Sequence, residues 1–147
     1  MANSYPPVGF FFRVEFQLGG VKGTDAMFQE VNGFNAELQT EEIRQGGENR
    51  YSQSLPTRAK YTDLVLKRGL IVNSAIVKWC KDAIENLDIK PITVVVTLLN
   101  EKGEPLQTYN IVNAWPKKWS VSDFNAQESK IVVETMELSY QYFKVVE

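Results

Sequence analysis

The sequence predicts a mainly β (α+β) fold: an antiparallel β-sandwich or barrel with one packed α-helix. Three observations carry this. Apolar and polar residues alternate at period two along most of the chain. Only one segment changes to the helical period. Glycine, proline and asparagine clusters separate the runs, as turns between strands require.

Taken in order, Phe10, Phe12, Val14, Phe16 and Leu18 alternate with Phe11, Arg13, Glu15 and Gln17. That pattern predicts a strand with one buried face, closed by the turn at Gly19-Gly20. Met27 to Phe34 is a short apolar piece interrupted by Asn32-Gly33, and it leads into a strand from Phe34 to about Ile43. A return strand is expected from Tyr61 to Lys67. Between them lies a connection, 42–60, far longer than the two to five residues that reverse a hairpin.

The helical segment spans 74–87. Ile76, Trp79, Cys80, Ala83, Ile84 and Leu87 follow the i, i+3, i+4 spacing, with Lys78, Lys81, Asp82, Glu85 and Asn86 on the opposite face. Asn73 or Ser74 suits the N-cap, and Pro91 prevents continuation. Ile92 to Leu99 is β-branched and nearly continuous, as in a strand covered on both faces. Asn100 to Pro105 supplies a turn, and Leu106 to Val112 pairs back. Trp115-Pro116 is expected to break the chain before a short strand from Trp119 to Phe124. From Lys130 to Phe143 the alternation resumes, with Val132, Met136, Leu138, Tyr140 and Tyr142 on one side.

Length and composition bound the function. The chain has 147 residues, 44% of them apolar and 23% charged, which suits one folded domain over 1–147. A net charge of -2 offers no electrostatic drive toward nucleic acid. There is no histidine, which removes the commonest general base and metal ligand. The single cysteine, Cys80, excludes an internal disulfide or a cysteine metal cluster. The start of the chain lacks the basic and apolar regions of a secretory signal, and no run is long enough to span a bilayer. The expectation is a protein made in a reducing compartment without a signal peptide and with no stable membrane association.

No constellation of residues predicts catalysis, a metal or a cofactor. Glu41 and Glu42 are adjacent on a strand and point to opposite faces. Cys80 lies on the apolar stripe beside Trp79, where a small buried hydrophobe is expected. Gly46-Gly47 does not open a helix, so it is no phosphate loop. Lys117-Lys118 reads as an ordinary surface pair. Tyr140, Tyr142 and Phe143 lack the basic groove that base stacking needs, and packing is the better assignment. The informative feature is the connection around Glu41-Glu42-Ile43-Arg44-Gln45-Gly46-Gly47-Glu48-Asn49-Arg50-Tyr51, a glycine-centred arm rich in hydrogen-bonding groups. Such an arm is built to order against a partner.

Pieces in order along nearly the whole chain resemble the tail-tube proteins of contractile phage tails and phage-tail-like contractile injection systems. They are Phe10-Phe11-Phe12-Arg13-Val14, Phe28 to Phe34, Ile43 to Asn49, Leu64-Val65-Leu66-Lys67-Arg68-Gly69, the helix holding Trp79, Asn113 to Trp119, and the strand with Glu134, Glu137 and Leu138. Ile43 is a minor departure within the loop. The resemblance implies the tube-protein fold and a structural subunit that is not an enzyme. It would form hexameric rings with itself, stacked into a tube within a sheath protein. Baseplate and tail-terminator proteins would close the ends, and DNA or a protein cargo would fill the lumen. The particle would be a virion tail, or an injection particle released from the cell or acting across its envelope.

The same resemblance assigns the contact between rings to Glu42, Arg44, Gln45, Gly46, Gly47, Glu48, Asn49, Arg50 and Tyr51. It assigns a second contact arm to 1–8, with Tyr5, Pro6 and Pro7. The sheath would meet the helix at Lys78, Lys81, Asp82 and Glu85. A hydrophilic lumen would draw on Glu37, Gln39 and Thr62, though alternation alone leaves open which strand face is inward. The alternatives are a tube-baseplate adaptor, for which the chain has no spare domain, and a small-ligand-binding β-barrel with an apolar interior. An enzyme relying on carboxylates ranks last.

Overall fold

The computed structural model describes residues 11–19, 27–43, 53–127 and 131–146. The strands are β1 (Phe11–Phe16), β2 (Glu30–Asn32), β3 (Ala36–Ile43), β4 (Gln53–Tyr61), β5 (Leu64–Gly69), β6 (Ile92–Leu99), β7 (Pro105–Val121), β8 (Val133–Ser139) and β9 (Tyr142–Val146). The helix α1 (Ala75–Asn86) falls between β5 and β6. Every strand pairing is antiparallel.

Two layers share β7. Its first half pairs with β6 on one side and β9 on the other, and β6 also carries β1. Its second half pairs with β8, which carries β5 and then β2. One core joins the layers: Val14, Phe16, Val94, Val96 and Ile111 meet Leu64, Leu66, Met136 and Leu138, with Ile76, Trp79 and Cys80 from the helix. This is the sandwich that the alternating pattern predicts.

The long β7 corrects the expected break at Trp115-Pro116. The strand runs through that dipeptide, with a register irregularity between Pro116 and Lys118 and a left-handed Asn113 (φ 55°) just before it. A proline lacks the N–H that an interior strand must donate, so it is confined to edges and bulges. Both conditions hold here, because among the described residues this half of β7 pairs with β8 alone.

A second correction concerns the hairpin. Residues 53–60, expected to lie in the connection 42–60, form with Tyr61 the strand β4, the partner of β3. The expected return strand from Tyr61 to Lys67 is interrupted at Thr62-Asp63, and its apolar part, β5, pairs with β2 and β8 instead. The β3–β4 pair forms its own two-stranded sheet. The last alternating run is likewise two strands, β8 and β9, divided at Tyr140-Gln141.

The helix begins at Ser74, whose Oγ accepts a hydrogen bond from the Val77 backbone N–H at 3.2 Å. It ends at Leu87, in a left-handed conformation (φ 55°), four residues before Pro91. Ile76, Trp79, Cys80 and Ala83 are buried, but Ile84 and Leu87, expected on the same stripe, are 47% and 80% exposed. Trp79 meets Phe16 edge to face at 5.9 Å and donates its Nε1–H to the Lys90 carbonyl at 2.9 Å.

Candidate assembly surfaces

The β3–β4 hairpin leaves the sandwich through a neck built around Gly33. That residue has φ 111°, and a Cβ there would collide with the Asp63 carbonyl oxygen, so only glycine fits. Its carbonyl accepts from the Thr62 hydroxyl at 2.9 Å and from the Tyr140 hydroxyl at 3.4 Å. Thr62 Oγ1 accepts in turn from Asn35 Nδ2 at 3.4 Å. Asp63 holds Lys117 Nζ at 2.9 Å, and this contact raises the lysine's pKa above its ordinary value.

Below the neck lies an aromatic cluster. Phe34 stacks on Tyr109 at 4.4 Å, and Phe143 stands edge-on to Phe34, Tyr61 and Tyr109 at 5.7, 5.3 and 6.1 Å. Tyr140 completes the group, 6.0 Å from Tyr61. Burial, then the charge of Asp63 and the neighbouring Tyr61, push the Tyr140 hydroxyl up to about 12. Of the aromatics singled out at the C-terminus, Tyr140 and Phe143 are therefore packing residues. Tyr142 stands apart beneath Lys144, whose Nζ lies 5.6 Å from its ring.

Beyond the neck the hairpin is bare. Every residue of β3 is exposed, and so is every residue of β4 except Tyr61. Glu37 faces Lys60 across the pair, and Gln39 lies at a bulge where Thr57 Oγ1 donates to its carbonyl at 3.1 Å. Glu37 and Gln39 thus share one hairpin face, whereas Thr62 is committed to the neck. Glu42 is exposed near the end of β3. The remaining loop residues, Arg44, Gln45, Gly46, Gly47, Glu48, Asn49, Arg50 and Tyr51, lie outside the described residues, as do Tyr5, Pro6 and Pro7 of the N-terminal arm.

The helix offers a second surface. Lys78, Lys81 and Glu85 are exposed and Asp82 is half-buried. Lys81 Nζ sits 5.6 Å from the centre of the Trp119 ring. These groups rim a cleft of about 530 Å³ whose lining includes Val72, Trp119 and Glu134.

Adjoining that cleft is a polar cluster that the sequence reading missed. Arg68, 1% exposed, pairs its Nε with Glu134 Oε2 at 2.8 Å, and Glu134 is fully buried. Arg68 Nη2 donates to Ser74 Oγ at 2.8 Å, and Trp119 Nε1–H donates to Glu134 Oε1 at 2.8 Å. The guanidinium also lies 5.0 Å from the Phe28 ring centre. One ion pair therefore ties β5, β8, β7 and the helix cap together. A signal existed: Arg68 continues the buried parity of Leu64 and Leu66, and Glu134 that of Met136 and Leu138.

These groups do not form a reactive centre. Burial, reinforced by the Glu134 charge and opposed by Arg68, pushes the Cys80 thiol up to about 12, so the nucleophilic thiolate is suppressed. Among the described residues no acidic, cysteine and histidine side chains gather to hold a metal ion. No helix among them is long and apolar enough to cross a membrane.

Among the described residues the fold is a β sandwich with one packed helix, without a metal-binding cluster, from which an exposed two-stranded arm extends. Residues 8–144 match the family described as T4-like virus tail tube protein gp19, and the chain belongs to that family. It is a structural tail-tube protein of the contractile, phage-tail-like kind. Among solved structures it is similar to a chain of the anti-feeding prophage (AFP) baseplate, at 28% identity and TM-score 0.86, covering 98% of this chain and 97% of that one. A chain of the PVC sheath-tube complex, an extracellular contractile injection system in its extended state, is 23% identical with TM-score 0.80, covering 97% and 93%. An Hcp protein shares the fold at 16% identity and TM-score 0.59, covering 90% and 89%. No curated protein matches the sequence.

Proposed function

We propose that this chain works without catalysis of its own, as the repeating tube subunit whose hexameric rings stack inside a sheath. The observation that carries the reading is the β3–β4 hairpin, a two-stranded sheet exposed on both faces and held away from the core. A lone two-stranded hairpin is marginal in water, so it needs a surface supplied by another copy. Open sheet edges have the same need, and pairing head to tail around a ring answers it with a contact that closes on itself.

In this reading 1–147 is one tail-tube domain. The loop Glu42 to Tyr51 and the arm 1–8 reach adjacent rings, and Lys78, Lys81, Asp82 and Glu85 face the sheath. Baseplate and terminator proteins close the ends, and the lumen conducts DNA or a protein cargo. The chain is made in the bacterial cytoplasm and then becomes part of the particle. Family membership leaves the ligand-barrel alternative without support.

Negative-stain electron microscopy of the purified protein, with its mass in solution, tests the proposal. Six-fold rings or hollow tubes are expected, and a strict monomer at high concentration would remove it. A second reading, a tube-baseplate adaptor, draws on the likeness to the AFP baseplate chain. An adaptor would stop at single rings where a tube subunit grows to many.

A further inference from the structure

The hairpin's two faces differ in chemistry. Side chains alternate along a strand, and the register pairs Ala36 with Tyr61, Leu38 with Ala59 and Thr40 with Pro56. One face of the root half is therefore built from Ala36, Leu38, Thr40, Pro56, Ala59 and Tyr61. The opposite face carries Glu37, Gln39, Glu41 and Lys60, with Glu37 directly across from Lys60. Only near the tip does the pattern turn over, where Ile43 and Leu55 join the charged face. Leu38 is the largest aliphatic side chain on the apolar face, and it is 62% exposed.

The body of the same chain carries a matching recess. Phe12, Val31, Phe34, Val96, Leu98 and Tyr109 line an apolar notch of about 220 Å³. Dry apolar cavities of ~150 Å³ hold a group the size of benzene, so this notch has room for one branched side chain. Leu38 does not fill its own notch, as its exposure shows. A tail-tube protein presents both surfaces in every copy, one on the hairpin and the other on the body. Contact between two such unlike surfaces is heterologous and can propagate around a ring.

We infer that the apolar root face of the hairpin docks on a second copy of this chain, with Leu38 seated in that copy's notch between Phe12, Val96 and Leu98. The inference rests on the ring-forming reading and adds the face that docks. The face bearing Glu37, Gln39, Glu41 and Lys60 is then left to water, which suits a lining past which polar cargo slides.

Cysteine pairing tests the contact in assembled particles, because native Cys80 is fully buried. The Leu38→Cys/Leu98→Cys double variant, treated with a short bismaleimide, should give covalent multimers on a denaturing gel. The Gln39→Cys/Leu98→Cys control should stay monomeric, since Gln39 lies on the other face. Rings or tubes by microscopy without multimers from the first pair would overturn the docking face and leave the tube reading intact. Absence of rings from the unmodified protein would defeat the tube reading, and the docking face with it. Should the cysteines themselves block assembly, Leu38→Asp and Gln39→Asp decide. Leu38→Asp should keep the monomer's melting temperature and lose assembly at least tenfold, while Gln39→Asp assembles normally. Normal assembly by Leu38→Asp would overturn the inference.

Discussion

Arg68 and Glu134 bring opposite charges into an interior where either alone would be costly, and their mutual 2.8 Å contact is what makes both tolerable. Replacing Arg68 with methionine leaves a buried carboxylate without its cation, and a loss of about 3–5 kcal/mol is expected. Adding Glu134→Leu removes the orphaned charge, so the double variant should regain much of that loss. Urea denaturation of the unassembled subunit measures both. Equal losses from the single and double variants would mean that the pair does not act as a unit. Cys80 yields a pH prediction. Folding raises its thiol from 9.0 to about 12, so in that window the folded chain keeps a proton the unfolded chain has released. Its contribution is fully present below about pH 9 and is lost as pH rises through the window. Tyr140, raised from 10.0 to about 12, acts in the same direction. The urea midpoint should fall from about pH 8 to about pH 10, and more gently in Cys80→Ala.

At the scale of elements, α1 is held by few but large contacts. Trp79 meets Phe16, donates to the Lys90 carbonyl and sits against the core beside Ile76 and Cys80. Trp79→Ala should cost about 3–5 kcal/mol, the usual loss for a large aromatic removed from a core. A loss under about 1 kcal/mol in the same denaturation experiment would show that the helix is not anchored by this residue. The hairpin is the opposite case. Its root is fixed by Gly33, Thr62 and the aromatic cluster that includes Tyr61, while the other residues of its strands stay exposed. Helix and hairpin therefore divide the work, one completing the body and the other extending from it.

At the scale of the whole molecule, the proposed assembly gives ring closure and ring stacking different surfaces. A loop ordering at a stacking contact loses ~1–2 kcal/mol of backbone entropy per residue, so stacking should be the weaker step and require nucleation. Replacing Arg44, Glu48 and Arg50 together with alanine should abolish tube growth while leaving rings and melting temperature unchanged. Microscopy of tube length alongside a thermal melt checks this. Tubes of normal length would remove the loop from the contact between rings.

Local patterns in the sequence determined the antiparallel β class and a single helix capped at Asn73 or Ser74, of which the fold uses Ser74. They suffice there because strand and helix periods are written in consecutive residues. The resemblance of ordered motifs reached the tail-tube family as well. Only the tertiary structure showed that residues 53–60 belong to a strand, since that stretch is polar, crossed by Pro56 and shifted in register against β3, with no sustained apolar alternation to read. Likewise, Pro116 sits in a continuous β7 because that half of the strand lies at an edge, a fact of pairing. Ile84 and Leu87 keep the helical spacing yet stay exposed, because the core ends before it reaches them. Arg68 and Glu134, sixty-six positions apart, meet only once β5 and β8 lie side by side. What stayed hidden in each case was the identity of a distant partner, which no local period encodes.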